Sequence, residues 1–179
     1  GVDLDDIRGV FITHEHSDHV AGLRVFTKKH NLPVYASPAT LGSLHMVSPL
    51  LLREAAPGEL LEIGELCVRG FEVPHDASCP MGYSIYGGGK KLSVATDMGK
   101  LTESVAENLR GSHLVFLESN HDVDMLIKGP YPYYLKQRIL GESGHLSNFQ
   151  AAKLAAALAR TGTKAIMLGH LSEKNNHPE

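Results

Sequence analysis

Several residue types and patterns are scarce in this 179-residue sequence. Tryptophan is absent, and cysteine occurs only at Cys67 and Cys79. Two cysteines are too few for a disulfide framework, so we expect a reducing compartment, the cytoplasm. No run approaches the roughly 18 consecutive apolar residues of a membrane-spanning helix, so we expect no membrane partner. The formal net charge is only −3, so a polyanion would have to bind through a local patch or through metal ions.

Length and composition are those of a folded protein. The sequence is 42% hydrophobic and 21% charged, which excludes a disordered chain. A chain of this length normally forms one domain with a substantial core. We therefore predict a single domain over residues 1–179. The chain opens on Gly1, close to a predicted strand, so we also expect it to be a fragment of a longer domain.

Metal-ligand residue types are concentrated in the stretch HEHSDH at residues 14–19. The stretch follows a short apolar run, GVFIT, that is typical of a buried strand. In an extended loop His14 and His16 point the same way, whereas Asp18 and His19 turn toward a second point. One loop can therefore supply ligands to two metal ions.

Further ligand types follow other predicted strands along the chain. His75 is the best candidate for a third ligand of the first metal, and Asp97 suits a ligand that bridges two metals, with a simple turn aspartate as the alternative. His121 is open between a ligand, a residue that supports a ligand by hydrogen bonding, and no role. His170 ends the last predicted strand. Ligand types at several strand ends are expected when one edge of a sheet assembly carries a site.

Two later segments suit a nucleic acid. Tyrosines alternate with basic residues over 128–138, which favours base stacking and phosphate pairing, although a packed loop and helix with a solvated face is the alternative. His145 precedes a predicted helix with Ser147 as its N-cap, and anions are favoured there. The candidate substrate-binding residues of the first segment are Tyr131, Tyr133, Lys136 and Arg138.

The HxHxDH stretch, followed by the later His, Asp and His, resembles the metallo-β-lactamase superfamily over essentially the whole chain. The stretches GHLS at 144–147 and LGHLS at 168–172 are similar to its phosphodiesterase members, which include tRNA 3′-processing nucleases and cyclic-phosphate diesterases. More narrowly, ESNHD at 118–122 and GPYPY at 129–133 resemble the YycJ/WalJ-type branch. Members of that branch are bacterial proteins associated with exonuclease activity on DNA.

The resemblance implies an α/β fold, the four-layer αβ/βα sandwich, with metals at one edge of its two sheets. It also implies that this chain lacks the N-terminal strands and the C-terminal end of the full domain. Zinc fits the nitrogen-rich ligand set, and manganese fits the oxygen ligands. The implied ligands are His14, His16 and His75 for the first metal, Asp18, His19 and His170 for the second, and Asp97 as the bridge.

The implied function is hydrolysis of phosphodiester bonds with two divalent ions, and a DNA exonuclease is the leading hypothesis. Two ions about 3.5–4 Å apart lower the pKa of a shared water and neutralise charge on the phosphate. Asp18 is the candidate to orient or deprotonate that water, and His145 the candidate to donate a proton or hydrogen bond. His16 stands where oxidoreductase members usually carry Glu, which favours hydrolysis.

Three alternatives stay open at this point. The chain could hydrolyse a small thioester or lactone, hydrolyse a cyclic phosphate, or act as a nucleic-acid-binding scaffold without catalysis. Nucleic acid is the expected partner in the leading reading, with DNA favoured and RNA as the alternative.

Overall fold

The computed structural model describes residues 3–177. The predicted domain limits, 1–179, extend beyond these residues at both ends. The strands are β1 Val10–Phe11, β2 Val34–Ala36, β3 Leu52–Glu54, β4 Leu60–Ile63, β5 Leu66–Glu72, β6 Met81–Gly87, β7 Lys90–Ala95, β8 Leu114–Glu118 and β9 Ala165–Gly169. The α-helices are α1 Ser17–Val20, α2 Leu23–His30, α3 Pro38–Leu41, α4 Glu103–Leu109, α5 Val123–Lys128, α6 Tyr133–Leu140 and α7 Asn148–Arg160.

The strands form two sheets. The smaller sheet has the order β1-β2-β3, and all its pairs are parallel. The larger sheet has the order β4-β5-β6-β7-β8-β9. Its first four strands pair antiparallel, and β7, β8 and β9 pair parallel.

Three apolar clusters define the layers. One cluster joins the small sheet to the helices beside it and includes Val34 of β2 and Leu23 of α2. A second lies between the two sheets and includes Tyr83 packed against Phe11. The third joins the large sheet to α4 and α7, with Leu117 among its members. The order helix, sheet, sheet, helix follows, and it confirms the predicted four-layer α/β fold.

Strand direction brings distant parts of the chain to one edge. Strand β5 is separated from β7 by two antiparallel pairings, so both run the same way, and β8 and β9 run parallel to β7. The carboxyl ends of all four strands therefore lie at one edge of the large sheet. The loop after β1 joins the same edge, because the Met81 amide donates to the Thr13 carbonyl at 2.9 Å.

Hydrophobic periodicity predicts one helix over residues 20–30 and another from Pro38 to about residue 47, and both are shorter in the structure. The helix expected over residues 20–30 is broken between α1 and α2, and Gly22 begins the second part. The helix expected from Pro38 to about residue 47 ends at Leu41, where Gly42 follows. Glycine has a low helix propensity, which explains an end at both positions.

The predicted N-cap Ser147 is confirmed by its hydrogen bond, and Thr102 caps another helix in the same way. The Thr102 hydroxyl accepts from the Val105 amide at the start of α4. The Ser147 hydroxyl caps α7 by accepting from the Gln150 amide. The side-chain oxygen of Gln150 in turn accepts from the Ser147 amide, which completes a capping box. Within the described part of the chain, no helix is long and hydrophobic enough for a membrane span.

The apolar interface between the large sheet and its helices should carry much of the stability. Leu117 on β8 is fully buried, whereas Leu168, its register partner on β9, is 50% exposed. We expect Leu117→Ala to lower the free energy of unfolding by about 2–5 kcal/mol, because it leaves a cavity. Leu168→Ala, the matched control, should cost less than about 1 kcal/mol. Urea unfolding followed by circular dichroism measures both, and equal losses would contradict this assignment of the core.

Candidate metal centre

Metal-binding side chains from five strand ends converge at the shared edge. Four groups of three or four residues have potential ligand atoms within 4.8 Å of one another. The groups overlap, so they describe one continuous cluster. The groups are His14/His16/His75, His14/His19/Asp97, Asp18/His19/His170 and Asp97/Glu118/His145/His170.

The first group contains three histidine rings that face a common point. Nε2 of His75 lies 3.3 Å from Nδ1 of His16. The other nitrogen of His75, Nδ1, lies 3.0 Å from the Gly144 carbonyl. A carbonyl only accepts hydrogen bonds, so Nδ1 carries the proton and the lone pair of Nε2 is available to a metal. Nε2 of His14 is buried and has no hydrogen-bond partner among residues 3–177. Burial and the charge of His19 lower the pKa of His14 to about 4, so this ring is neutral at pH 7.

Asp97 lies at the centre of the cluster. Its carboxylate is 3.3 Å from Nε2 of His19, 3.4 Å from Nε2 of His170 and 3.8 Å from Nε2 of His75. Burial alone would raise its pKa, but the hydrogen bond with His19 and the charges of His170 and His19 hold the pKa well below its usual range. Asp97 is therefore a carboxylate that touches ligands of both predicted metals.

The group Asp18/His19/His170 contains one carboxylate and two histidines. The Asp18 carboxylate is 3.6 Å from Nε2 of His19 and 3.9 Å from Nε2 of His170. The Thr13 hydroxyl lies 3.0 Å from Nδ1 of His19 and 3.1 Å from Nδ1 of His14. The Thr13 hydroxyl therefore contacts Nδ1 of both rings, and Nε2 of His19 contacts Asp97 instead.

Two residues of the cluster have an unusual backbone. Asp97 has φ 57° and His170 has φ 55°, and Asn31 is the third non-glycine residue with positive φ in the described residues. Left-handed backbone at such residues is uncommon and concentrates at functional sites. Asp97 itself makes the turn after β7, and the nearby Gly99 has a different use. A methyl group on Gly99 would collide with the backbone of the 141–144 loop, so glycine allows that loop to approach.

Glu118 is the functional residue that sequence reasoning missed. It is fully buried, and its Oε1 accepts from Nδ1 of His145 at 2.7 Å and from Nδ1 of His170 at 2.9 Å. Its Oε2 accepts from the amides of Met98 and Leu146. Burial opposes ionisation, but the hydrogen bonds from the two histidines outweigh it and lower the pKa. The available signal was an acidic residue at the end of an otherwise apolar strand.

The Glu118 contact also determines the state of both histidines. A carboxylate accepts only, so both Nδ1 atoms carry protons and both Nε2 atoms face away from it. Burial lowers the pKa of His170, but the hydrogen bond to Glu118 and the charge of Asp97 outweigh it, and the net pKa is raised. His145 also lies close to Asp97, with Nδ1 3.7 Å from the Asp97 carboxylate.

Glu15, between two predicted ligands, holds the loops together. Its carboxylate accepts from the amide and hydroxyl of Ser78, at 2.8 and 2.7 Å, and from the Thr40 hydroxyl at 3.3 Å. Ser78 is three residues after His75. Glu15 therefore fastens the loop that carries His75 to the loop that carries His14 and His16.

The remaining predicted site residues differ in where they lie relative to the metal-ligand cluster and the cleft beside it. His121 is buried on the loop after β8, outside the four groups, and in the portion that the structure describes neither ring nitrogen has a hydrogen-bond partner. Tyr131 and Arg138 line a cleft beside the cluster. Tyr133 is 76% exposed and does not line it. Lys136 donates to the carbonyls of Ile127 and Gly129 and so is not free for a ligand.

The donor set fits divalent metal ions. It combines imidazole nitrogens with carboxylate oxygens, the ligand types that zinc and manganese accept. The buried, unpartnered Nε2 of His14 is an atom that a metal would satisfy. His75 and His170 donate Nδ1–H to the Gly144 carbonyl and to Glu118, and these hydrogen bonds orient the two rings as in known metal sites.

Comparison with known proteins agrees with this geometry. Residues 1–171 match the model of the β-lactamase superfamily domain. The chain is 37% identical to exodeoxyribonuclease YycJ of Bacillus anthracis over 182 residues, covering 99% of this chain and 69% of that protein. It is 34% identical to exodeoxyribonuclease WalJ of Streptococcus pneumoniae over 181 residues, covering 98% of this chain and 67% of that protein. The chain therefore spans about two thirds of the length of these relatives.

A solved structure confirms the fold. Zn²⁺-bound PqqB from Methylobacterium extorquens superposes with a TM-score of 0.73 at 22% identity, covering 94% of this chain and 64% of that one. The fold implies divalent metal ions, in agreement with the donor set. With a matching family model over nearly its full length and relatives above 30% identity, the chain belongs to the metallo-β-lactamase superfamily, in its YycJ/WalJ-type branch.

Proposed function

We propose that this chain is the metal-dependent hydrolytic part of a DNA exonuclease. The observation that carries the proposal is that the buried Asp97 and six other residues form one cluster: His14, His16, Asp18, His19, His75 and His170. The two relatives named above are exodeoxyribonucleases, which directs the proposal to DNA.

We propose two divalent ions, zinc or manganese. His14, His16 and His75 would hold the first and Asp18, His19 and His170 the second, with Asp97 shared between them. Two such ions supply a nucleophile near neutral pH and neutralise the charge that develops on a phosphodiester. Asp97 suits the shared position because its carboxylate reaches nitrogens from both groups, at 3.3 Å for His19 and 3.8 Å for His75.

The protein's own groups would handle the protons and the substrate. The Asp18 carboxylate is 67% exposed and lines the cleft, so it can accept a proton from an attacking water. His145 lines the same cleft and donates Nδ1–H to Glu118, so the imidazolium form of the ring would carry a second proton on Nε2, which it could donate to a phosphate or leaving oxygen. Glu118 would stabilise the protonated ring during that transfer. His121 is proposed to support this region without binding metal.

Metal dependence and substrate class test the proposal directly. We expect chelation to abolish cleavage of 5′-labelled duplex DNA and of bis(4-nitrophenyl) phosphate, and added Zn²⁺ or Mn²⁺ to restore both. A thioester should not be turned over under the same conditions. Labelled-product gels and release of 4-nitrophenolate measure the outcome. Thioester turnover without phosphodiester cleavage would overturn the proposed function.

Asp97→Asn tests the shared ligand. An amide keeps the shape but loses the charge, so we expect fewer than two metals per chain and a loss of phosphodiester cleavage of more than about a hundredfold. Asp124→Asn is the matched control, because Asp124 is exposed on α5 and pairs only with Lys128 in the described residues. Elemental analysis and initial rates measure both. Two metals with normal rates in Asp97→Asn would show that Asp97 is not the bridge.

Glu118→Gln tests the positioning of His170 and His145. An amide cannot accept with a full charge from two Nδ1–H groups, so we expect zinc affinity or turnover to fall by about 10–100-fold. Glu107→Gln, exposed on α4, is the control. Chelator competition gives the zinc Kd, and thermal melting of the metal-free protein tests for simple unfolding. An unchanged zinc Kd and kcat would exclude the positioning role.

A further inference from the structure

Acidic and basic side chains are unevenly distributed along the chain. Residues 19–53, which include α2 and β2, contain four cations and no carboxylate side chain: Arg24, Lys28, Lys29 and Arg53. The next residues, 54–68, contain four carboxylates and no lysine or arginine: Glu54, Glu59, Glu62 and Glu65. A small net charge of −3 is therefore compatible with a locally basic surface, and such a surface attracts polyanions.

Part of the basic segment forms a groove on the protein surface. Arg24, Lys28 and Asn31 line one side of it, at spacings of four and three residues that place them in a row along α2. The opposite wall comes from the segment before β3, which contributes Ser48. We call this the α2 groove, and its other lining residues are Thr27, Met46 and Leu51.

Within residues 3–177, the two cations of the α2 groove have no carboxylate partner. The ion pairs that lysine and arginine form in that part of the chain are those of Lys100, Lys128 and Arg138. Arg24 and Lys28 take no part in them, and both side chains are exposed. Their charges are therefore available to an anion from outside the protein.

Helix stability explains Lys28 but not Arg24. The carboxyl end of a helix carries partial negative charge, so Lys28 in the last turn of α2 stabilises the helix. Arg24 lies in the first turn, where a cation is unfavourable and where α2 has no acidic residue. The position of Arg24 therefore favours a role in contacts outside the helix.

Helix α2 leads away from the metal centre. The first ligand loop follows the carboxyl end of β1, and β2 runs parallel to β1, so α2 returns along the small sheet to the opposite edge. Arg24 is five positions after His19 and lies at the end of α2 nearer the ligands. The chain dimensions place the whole groove within about 28 Å of His19, which is about eight base pairs of duplex DNA.

The lining of the α2 groove favours the backbone of a duplex. Phosphates in DNA complexes are contacted by arginine and lysine and by serine and asparagine side chains, and the groove contains all four residue types. Proteins that bind single strands also supply aromatic rings on which bases stack. Among the described residues, none that lines this groove is aromatic. A duplex suits such a surface, because its phosphates face outward and its bases are paired inside.

We propose that the α2 groove is a docking site for the phosphate backbone of duplex DNA, separate from the metal centre. The proposal rests on the proposed function, because it takes DNA as the substrate. Arg24 and Lys28 would pair with phosphates, and Asn31 and Ser48 would donate hydrogen bonds to phosphate oxygens. Since these contacts read no base, the groove would hold DNA of any sequence while one end lies at the metals.

The test compares Arg24→Gln/Lys28→Gln with a matched control, Arg160→Gln/Lys164→Gln. The control removes the same two charges at the same spacing, from exposed positions next to the amino end of β9 and so far from the metal edge. A third variant, Arg24→Lys/Lys28→Arg, keeps the charge of the groove. The probe is a labelled DNA duplex of about 20 base pairs, closed by a hairpin loop at each end, which spans the groove but offers no end to an exonuclease.

Fluorescence anisotropy of this closed duplex with metal-loaded protein measures binding at several salt concentrations. We expect Arg24→Gln/Lys28→Gln to weaken binding by on the order of tenfold and to reduce the slope of log K against log [salt] by about 1.8, since each phosphate contact accounts for about 0.9. The KM for an open duplex should rise with kcat retained. Rates on bis(4-nitrophenyl) phosphate should not change, because this diester cannot reach the groove, and they also show that the variant is folded. The other two variants should bind like the wild type.

Four results would overturn the proposal: equal losses in Arg24→Gln/Lys28→Gln and in the control, an unchanged salt slope, weak binding by the variant that keeps the charge, or a larger loss of binding on a single-stranded oligonucleotide than on the closed duplex. Failure of the proposed function would look different. In that case wild-type protein would cleave neither open duplex DNA nor the small diester, while the closed duplex would still decide whether the α2 groove binds DNA.

Discussion

The site depends on two buried carboxylates that histidines surround. Asp97 and Glu118 are 2% and 0% exposed, and an ionised carboxylate at such a position is costly unless positive charge or hydrogen bonds compensate it. Here the compensation comes from imidazole groups, and Glu118 receives two Nδ1–H bonds and two backbone amides. The same contacts turn the Nε2 atoms of His145 and His170 away from Glu118 toward the site. One set of hydrogen bonds therefore both stabilises a buried charge and orients His170, the proposed ligand, and His145, the proposed proton donor.

Close packing of the loops holds this arrangement in place. Gly99 and Gly144 lie where a methyl group would collide with neighbouring backbone, and the carbonyl of Gly144 is the acceptor that orients His75. Glu15 ties the His75 loop to the first ligand loop through Ser78. The buried Asn176 fastens the loop after β8 in a similar way, because its side-chain amide donates to the carbonyls of Ser119 and Asn120. The ligands are thus carried on loops, but each loop is fastened by polar contacts to another.

The substrate side is built differently from the metal side. The histidines and Asp97 are mostly buried and make several contacts each, whereas the cleft beside them combines a half-buried ring, two cations and two acids. A rigid centre next to a mixed, more exposed cleft suits an enzyme that performs one reaction on a repeating polymer.

Much of the fold and of the candidate metal centre could be predicted from the sequence. The HEHSDH stretch, His75, Asp97 and His170 follow strands, so residue type and position predicted a ligand cluster at one sheet edge. The resemblance to the metallo-β-lactamase superfamily implied the layered α/β fold. Capping residues Thr102 and Ser147 likewise follow local rules, because a cap depends on neighbours within four residues. Helix lengths were less predictable, since Gly22 and Gly42 interrupt a hydrophobic pattern that otherwise continues.

Tertiary structure alone decided the long-range contacts. Glu118 gave no motif of its own, and its importance comes from meeting His145 and His170, which lie 27 and 52 residues later in the chain. The segment over 128–138 has a uniform aromatic and basic pattern, yet folding sends Tyr131 into the cleft, leaves Tyr133 in solvent and uses Lys136 to bind two carbonyls. Lys174 lies beside the Tyr131 ring, with Nζ 6.0 Å from its centroid, only because the chain returns after β9. The sequence by itself determined which chemistry was available, and the packing of distant segments determined which of these side chains meet.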